Sequence, residues 1–594
     1  MAEEEEAPPH DPYSVLVRTI RTSIRDAISS AYDVDEPVEV PVDPEPPVED
    51  VDVATPVALS LAKEVGEEPR KIAETILEES DLDEVVLVDE ARVDGPGYIN
   101  IRLNRPQYAA LVLRSIFYYE EEYGSLDLGM GRPAILEHTS ANPNGPLHIG
   151  HGRNAIIGDI LARCMVFTNY DVEVQYYVND MGKQIAMLAW KYIKEGRPEV
   201  PEDKKPDEFF GELYAEAAKE IEEDPELEEV VERFLRSYER YLLDEESRAE
   251  RIAEAFQVVV EECLKGHIET LERLRVAHDR FVYESEFVED AVEIVEKLVD
   301  MGAAEKRDDG AVILDLEDYG IDKELVLTRS DGTTLYTTRD IAYHLWKLKR
   351  AAFVIDVLGA DHKLAVQQLK AVLDILDADP DRVDVIFYEF IHLPEGSMST
   401  RKGRYVTLDE FLDEAKKRAL EKMKEAGVAE DLDEEEREEI AENVAIGAVR
   451  FAIARVSPNK PIEFDWDEAL DFRRGGPFIQ YAYTRAKSIL RQADEEVQRF
   501  DAAYLDDDHS FELVFKMSMF PRQVAQCVRK RRPDILAEYA YELARAFHTF
   551  YEEVPVLHAE DEEVRKARLK LVEAFTIVME NVMNLLGIPA LGRM

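Results

Sequence analysis

Cysteine is nearly absent from this chain: Cys164, Cys263 and Cys527 are the only three among 594 residues. They lie far apart in helical patterns and form no CxxC pair, so neither a zinc knuckle nor a disulfide framework is expected. So few thiols fit a reducing cytoplasm. No apolar run is long enough to cross a bilayer, so no membrane contact is expected. The start, Met1 to Pro9, is acidic and proline-bearing. It lacks the basic region and apolar stretch of a secretory signal. Positive charge is scarce as well: 71 Lys and Arg stand against 128 Asp and Glu, a net charge of -57. Taken alone, that excess argues against nucleic-acid binding, because acidic surfaces repel phosphates. The acidity is spread along the chain, however, with no acidic tail. It reads first as a solvated surface suited to a salty or hot cytosol, where salt screens the repulsion and local basic patches do the recognising.

What is present points to a large soluble protein. Hydrophobic residues make up 45%, the usual share for a globular chain. The length exceeds one ordinary core, so several domains are expected. Residues 1–115 read as an α+β unit. Helical patterns run through Tyr13 to Ala31 and Pro56 to Glu79, a Pro/Asp/Glu loop lies between, and Tyr98 to Leu103 alternates like a strand after the Gly95-Pro96-Gly97 turn. Residues 116–460 read as an α/β unit. Strand Ala134–His138, a Pro/Gly-rich loop from Ser140 to Gly152, a helix and strand Val172–Val178 give the grammar of a doubly wound, Rossmann-like nucleotide-binding sheet. That grammar is interrupted by a helical insertion at about 191–311, with helical spacing through 207–301, and it returns after Val312. Thr407-Leu408-Asp409-Glu410 is a capping box that opens a helix. Residues 461–594 read as all helix.

The most informative segment is His148-Ile149-Gly150-His151, placed after a strand and before a helix. Imidazoles there donate hydrogen bonds to a phosphate, and a helix N-terminus adds its N–H groups and positive dipole end. Gly145, Gly150 and Gly152 permit close backbone approach to a nucleotide. As a bare tetrapeptide the motif is weak; its loop context strengthens it.

With its neighbours, the stretch Glu137 to His151 resembles the first signature of class I aminoacyl-tRNA synthetases. Glu137, Ser140 and Asn142 in its upstream half resemble the arginine-specific family. Tyr177 to Ile185 is similar to the block that follows the first signature in that family. Leu335 to Tyr343 resembles its arginine-binding block, and Met398-Ser399-Thr400-Arg401-Lys402-Gly403 its form of the second class I signature. The resemblance spans nearly the whole chain. It implies a class I Rossmann catalytic domain, an additional N-terminal domain and a helical anticodon-binding domain. It implies ATP with Mg2+, L-arginine and tRNA(Arg) as partners, no zinc, a monomer, and RNA bound before activation.

The resemblance also implies roles. Glu137 and Asp340 hold the guanidinium, a planar cation best gripped by carboxylate forks. Ser140 belongs to the same site, Asn142 receives the amino group, Tyr336 covers the side chain, and His362 contacts the amino acid. His148, Gly150 and His151 handle ATP, together with Met398, Ser399, Arg401 and Lys402. The second signature carries Thr400 where a lysine is usual, and Gly145 stands where some arginyl enzymes carry a compensating lysine. Arg401 or Lys402 then supplies the mobile positive charge. Arg529-Lys530-Arg531-Arg532, a basic run against the local trend, is the candidate RNA contact, with Arg522 and Gln526 on the same approach. A solvated face is the ordinary reading of such a run. Three other readings compete: a synthetase-like RNA-binding protein without catalysis, a small-molecule nucleotidyltransferase of the same fold, and another class I synthetase. The intact histidines and carboxylates, the extra terminal domains and the lack of zinc-ligand cysteines weigh against them in turn.

Overall fold

The structure is a computed structural model that describes residues 7–34, 38–44, 46, 48, 50–244, 249–393, 406–429 and 432–594. The chain opens with α1 (Pro12–Ala31), β1 (Val53–Thr55), α2 (Val57–Val65), α3 (Pro69–Glu79), β2 (Val88–Asp94) and β3 (Tyr98–Leu103). The three strands pair antiparallel in the order β1-β3-β2. The sequence pattern from Pro56 to Glu79 is broken into two helices. Gly66 caps α2 at φ 75°, the left-handed conformation that ends a helix, and Pro69 opens α3.

After α4 (Arg105–Tyr119) come β4 (Pro133–Glu137), α5 (Ile149–Phe167), β5 (Asp171–Val178) and α6 (Lys183–Lys194). Three further helices follow: α7 (Pro206–Glu223), α8 (Glu226–Asp244) and α9 (Glu250–Arg273). The chain returns through β6 (Arg280–Tyr283), α10 (Val288–Asp300) and the strands β7 (Ala304–Lys306), β8 (Val312–Leu314) and β9 (Leu325–Thr328). The last three form a small antiparallel sheet. Then come α11 (Tyr336–Arg350), β10 (Phe353–Gly359), α12 (Lys363–Ile375) and β11 (Val383–Tyr388). The stretch read as helical over 207–301 thus contains one strand, β6. Arg280 to Tyr283 is too short to show a period, and pairing with β5 decides it.

The central sheet is parallel, in the order β11-β10-β4-β5-β6. Winding reverses between β4 and β10. Such a reversal opens a crevice at the carboxyl ends of the two strands, the usual ligand position in a doubly wound sheet. Beyond it lie β12 (Ile391–His392), α13 (Leu408–Ala426), α14 (Glu434–Ala454), β13 (Ile462–Glu463), α15 (Trp466–Ala469), α16 (Gly476–Ala493), α17 (Asp508–Ser518), α18 (Phe520–Lys530), α19 (Pro533–Glu553) and α20 (Glu562–Leu586). Thr407 and Glu410 form the expected capping box on α13.

One buried cation ties the parts together. Arg450 of α14 is wholly enclosed. Its Nε donates to Leu586 O at 2.8 Å, its Nη1 to Leu274 O at 2.8 Å, and its Nη2 pairs with Asp159 of α5. Arg450→Met leaves the buried Asp159 carboxylate with Arg163 as its one remaining ion pair among the described residues. Loss of one partner of a buried pair costs about 3 kcal/mol. The expected outcome is a lower urea midpoint for the intact chain; an unchanged midpoint would show that Arg163 alone satisfies Asp159.

Candidate active site

Two adjoining depressions lie at the crevice. The first is a cavity of about 220 Å³ whose lining includes Glu137, Ser140, Asn142, Tyr336, Asp340 and His362. All six residues expected at the amino-acid site therefore meet here, although they come from β4, the loop after it, α11 and the turn before α12. The second is a cleft of about 590 Å³ lined by Asn142, Gly145, His148, His151, Gln184 and Thr407, among others. Asn142 borders both, with its Nδ2 donating to Gln184 Oε1 at 2.9 Å.

The floor of the cavity is a web of ion pairs. Lys347, fully buried in α11, meets Glu137 Oε2 at 2.5 Å and Asp356 Oδ1 at 2.8 Å. His344 Nε2 meets Asp356 Oδ2 at 2.9 Å, while its Nδ1 lies 2.8 Å from Asp340 O and 3.2 Å from the Asp340 carboxylate. Burial and the neighbouring Lys347 favour a neutral ring here, but Asp340 and Asp356 outweigh them and lift His344 to about 10. Arg339 Nε donates to Glu284 Oε1 at 2.6 Å. Burial pushes the carboxyl of Glu137 up while Lys347 pulls it down, and Ser140 Oγ donates to its second oxygen at 2.9 Å. In ionised form, the four carboxylates of Glu137, Glu284, Asp340 and Asp356 face the three cations Lys347, Arg339 and His344. On that count carboxylates outnumber cations by one, with Asp340 partly exposed and burial pushing Glu137 and Glu284 towards their neutral forms. Two enclosed hydroxyls in the lining, Tyr177 Oη and Thr337 Oγ1, have no hydrogen-bond partner among the described residues.

The cleft is built on the first turn of α5. The helix starts at Ile149, so three residues of the signature are already helical and His148 is the N-cap. His148 Nδ1 accepts from Gly150 N at 3.1 Å, and His151 Nδ1 accepts from His148 N at 3.2 Å. Both rings therefore carry their proton on Nε2. They stack with centroids 3.6 Å apart. Gly150 leaves space for the capping ring: a Cβ on it would lie 2.9 Å from His148 Cε1 and push that ring aside. Burial holds both imidazoles below their ordinary value. The pair is a neutral double donor beside the N–H groups of a helix start, which suits a phosphate chain. The second-signature residues Met398, Ser399, Arg401 and Lys402 lie outside the described residues. The downstream flank is tied to the first signature, since Leu408 N donates to Leu147 O at 2.7 Å and His148 bridges Thr407.

Comparison with known proteins decides the family. Residues 114–466 match the model for the catalytic domain of class I tRNA synthetases (R). The chain belongs to that family. Residues 18–103 match the arginyl-tRNA synthetase N-terminal domain, and 479–594 the DALR anticodon-binding domain. The chain is 84% identical to an arginine–tRNA ligase of Methanopyrus kandleri over 590 residues, covering 99% of this chain and 100% of that one. It is 42% identical over 581 residues to an arginine–tRNA ligase of Methanocaldococcus jannaschii, covering 97% and 99%. The arginyl-tRNA synthetase structure of Thermus thermophilus superposes with a TM-score of 0.78 at 27% identity, covering 97% of this chain and 100% of that one. The fold is also that of the Plasmodium falciparum enzyme, with TM-score 0.77, 19% identity and coverage of 98% and 99%. This synthetase thus has the expected fold: a class I catalytic domain with a parallel sheet, an N-terminal domain and a helical C-terminal domain.

On the helical domain, the basic run at the end of α18 divides. Arg529 and Lys530 are exposed. Arg531 pairs with Asp384 of β11 at 3.1 Å and covers the Phe353 ring, and Arg532 grips Asp534 at 2.5 Å. Arg522 lies over the ring of Tyr13 in α1. Sequence reasoning missed a second basic cleft, where Tyr481, Arg485, Arg491 and Arg593 converge. Arg485 sits over the Tyr481 and Tyr551 rings. These residues are scattered in sequence, so no run marked them. It also missed Lys347, Asp356 and Glu284. The one available signal was Asp356, a charge inside the apolar stretch Phe353 to Leu358.

Buried histidines give this synthetase an acid limit. His267 and His278 are held at about 4 by burial. Between pH 6.5 and that value the unfolded chain binds protons at these positions and the folded chain does not, so stability falls as pH falls. Each such histidine costs about 1.4 kcal/mol per pH unit. Urea unfolding at pH 7.5, 6 and 5 measures it, and replacing His278 by Gln flattens the slope; an unaltered slope would assign the acid loss to other groups.

Proposed function

We propose that the enzyme activates L-arginine with ATP to arginyl-adenylate and pyrophosphate. It then transfers the arginyl group to the 3′-terminal adenosine of tRNA(Arg). The observation that carries this reading is the cavity with one surplus carboxylate, opening at Asn142 into the histidine-lined cleft. A permanently charged guanidinium neutralises that surplus. Glu137, fixed by Ser140 and Lys347, and Asp340 hold the guanidinium; Tyr336 covers the side chain; Asn142 takes the amino group and points the substrate carboxylate at the cleft; His362 flanks it. His148, Gly150 and His151 bind the phosphates. Met398, Ser399, Arg401 and Lys402 bring the second signature to the departing pyrophosphate. Catalysis is positioning and charge stabilisation around an in-line displacement at the α-phosphate. Magnesium enters on the ATP phosphates as part of the substrate.

For the RNA, the cleft of Tyr481, Arg485, Arg491 and Arg593, with Arg529 and Lys530, supplies positive charge and rings on which bases stack. Residues 1–115, 116–460 and 461–594 serve as the tRNA-contacting, catalytic and anticodon-binding units. The enzyme works as a monomer in the cytoplasm.

Two measurements test the reading. ATP–pyrophosphate exchange with arginine is expected only when tRNA(Arg) is present; full exchange without RNA removes that dependence. Asp340→Asn is expected to raise the arginine KM about 10- to 100-fold, the ordinary loss for a hydrogen bond to a charged group, with the ATP KM within about twofold. Equal losses for both substrates would place Asp340 outside the guanidinium site.

A further inference from the structure

Two insertion helices close on the first-signature loop at one residue, Gly145. A Cβ on Gly145 would lie 3.2 Å from the Cα of Gly211 in α7. One on Gly211 would lie 2.8 Å from Pro146 Cδ and 3.1 Å from Gly145 Cα. Backbone lies against backbone, and a side chain at position 145 would require α7 to give by a few tenths of an ångström. From α9, His267 Nε2 donates to Gly145 O at 2.7 Å. Its Nδ1 lies 3.0 Å from Tyr176 Oη, and that hydroxyl accepts from Ala141 N at 3.1 Å. One buried relay therefore fixes both ends of the loop between Ala141 and Gly145.

The same helix reaches the second-signature side. One turn beyond His267, Thr270 Oγ1 donates to Asp409 Oδ2 at 2.8 Å. Lys205 Nζ reaches the same oxygen at 2.7 Å. Asp409 is the second residue of α13 and follows Thr407, which bridges His148. No step of the chemistry uses His267, Thr270 or Lys205, yet they are aimed at the backbone and helix start that frame the ATP cleft.

We infer that His267 is a positioning residue for adenylate formation: α9 sets the Ala141–Gly145 loop, and with it His148 and His151, against the start of α13. The inference rests on the cleft being the ATP site. A loop misplaced by an ångström or less costs the chemical step and ATP most, and reaches the arginine cavity only through Asn142, because Glu137, Asp340 and Asp356 stand on β4, α11 and β10.

The test uses the full chain with tRNA(Arg). His267→Leu is expected to lower kcat/KM for ATP in pyrophosphate exchange by about 10- to 100-fold, with a smaller rise in the arginine KM, transmitted through Asn142, and the tRNA Kd within about twofold. His267→Gln retains a donor for Gly145 O and is expected to recover most of the loss. Gly211→Ala pushes α7 off the loop and is expected to give the same ATP-selective loss with His267 in place. ATP kinetics unchanged in His267→Leu, or parallel losses for arginine, ATP and RNA, would overturn the inference. If His267→Leu does not fold, Gly211→Ala decides: unchanged ATP kinetics there overturns it. An unaltered enzyme without any exchange would instead defeat the adenylate-forming reading, and this inference with it.

Discussion

A helix buried over most of its surface must satisfy its polar groups largely without water, and α5 is such a helix: 14 of its 19 residues are buried. The rest of the molecule is organised by how it meets that demand. Arg153, fully enclosed, donates to the carbonyls of Glu389, Phe390, Ser457, Pro458 and Lys460. It thereby fixes the chain just before the second signature and just after α14. Asn154 accepts from Thr139 N at 2.7 Å and donates to Val357 O at 2.9 Å, stitching β4's loop to β10 across the crevice. Asp159 pairs with Arg450, and Cys164 packs against Cys527 of α18. The helix that presents His148 and His151 is thus the element through which the catalytic sheet, insertion and C-terminal helices hold one another.

Charge is used in two opposite ways. In the cavity, like-signed carboxylates are gathered at the cost of burial, and Lys347, Arg339 and His344 offset all but one of them. Carboxylates gathered in this way favour a cation as their neighbour. Over the whole chain the net charge of -57 repels RNA. Positive charge is concentrated instead in small clusters such as Arg485, Arg491 and Arg593. Binding a polyanion through such clusters carries a steep salt dependence. Salt screens the acidic surface and weakens the basic cleft together.

Much of this was legible in advance. Strands β4, β5, β10 and β11 and helices α5, α11 and α12 follow from short apolar runs, periodicity and the glycine loop, and the capping box at Thr407 marked α13 to the residue. The loop from Ser140 to Gly152 was read too long, because Ile149-Gly150-His151 has no helical signature until His148 caps it. Pairing, not pattern, made Arg280 to Tyr283 a strand. The basic run from Arg529 to Arg532 looked uniform, yet Asp384 and Asp534 take two of its cations. A sequence counts charges but does not show which are already spent.

What the sequence determined by itself is the list of chemical groups: two histidines at a helix start, Glu137, Asn142, Tyr336 and Asp340, and a doubly wound grammar to carry them. Those groups are local in character, set by residue type, period and turn chemistry. The tertiary structure alone decided their electrostatics and their support. Lys347 and Asp356 lie beneath Glu137 because α11 packs on β10. His267 reaches Gly145 because α9 crosses the loop where Gly211 leaves room. Neither contact has a period or a motif. Each depends on which surfaces meet after folding, over separations of more than a hundred residues, and burial then gives those contacts their strength. The feature that first announced the site, His148 to His151, is weak as a bare tetrapeptide and points to a phosphate only with the strand and glycine loop before it. Its neutral, doubly donating geometry exists only because the rest of the fold encloses it.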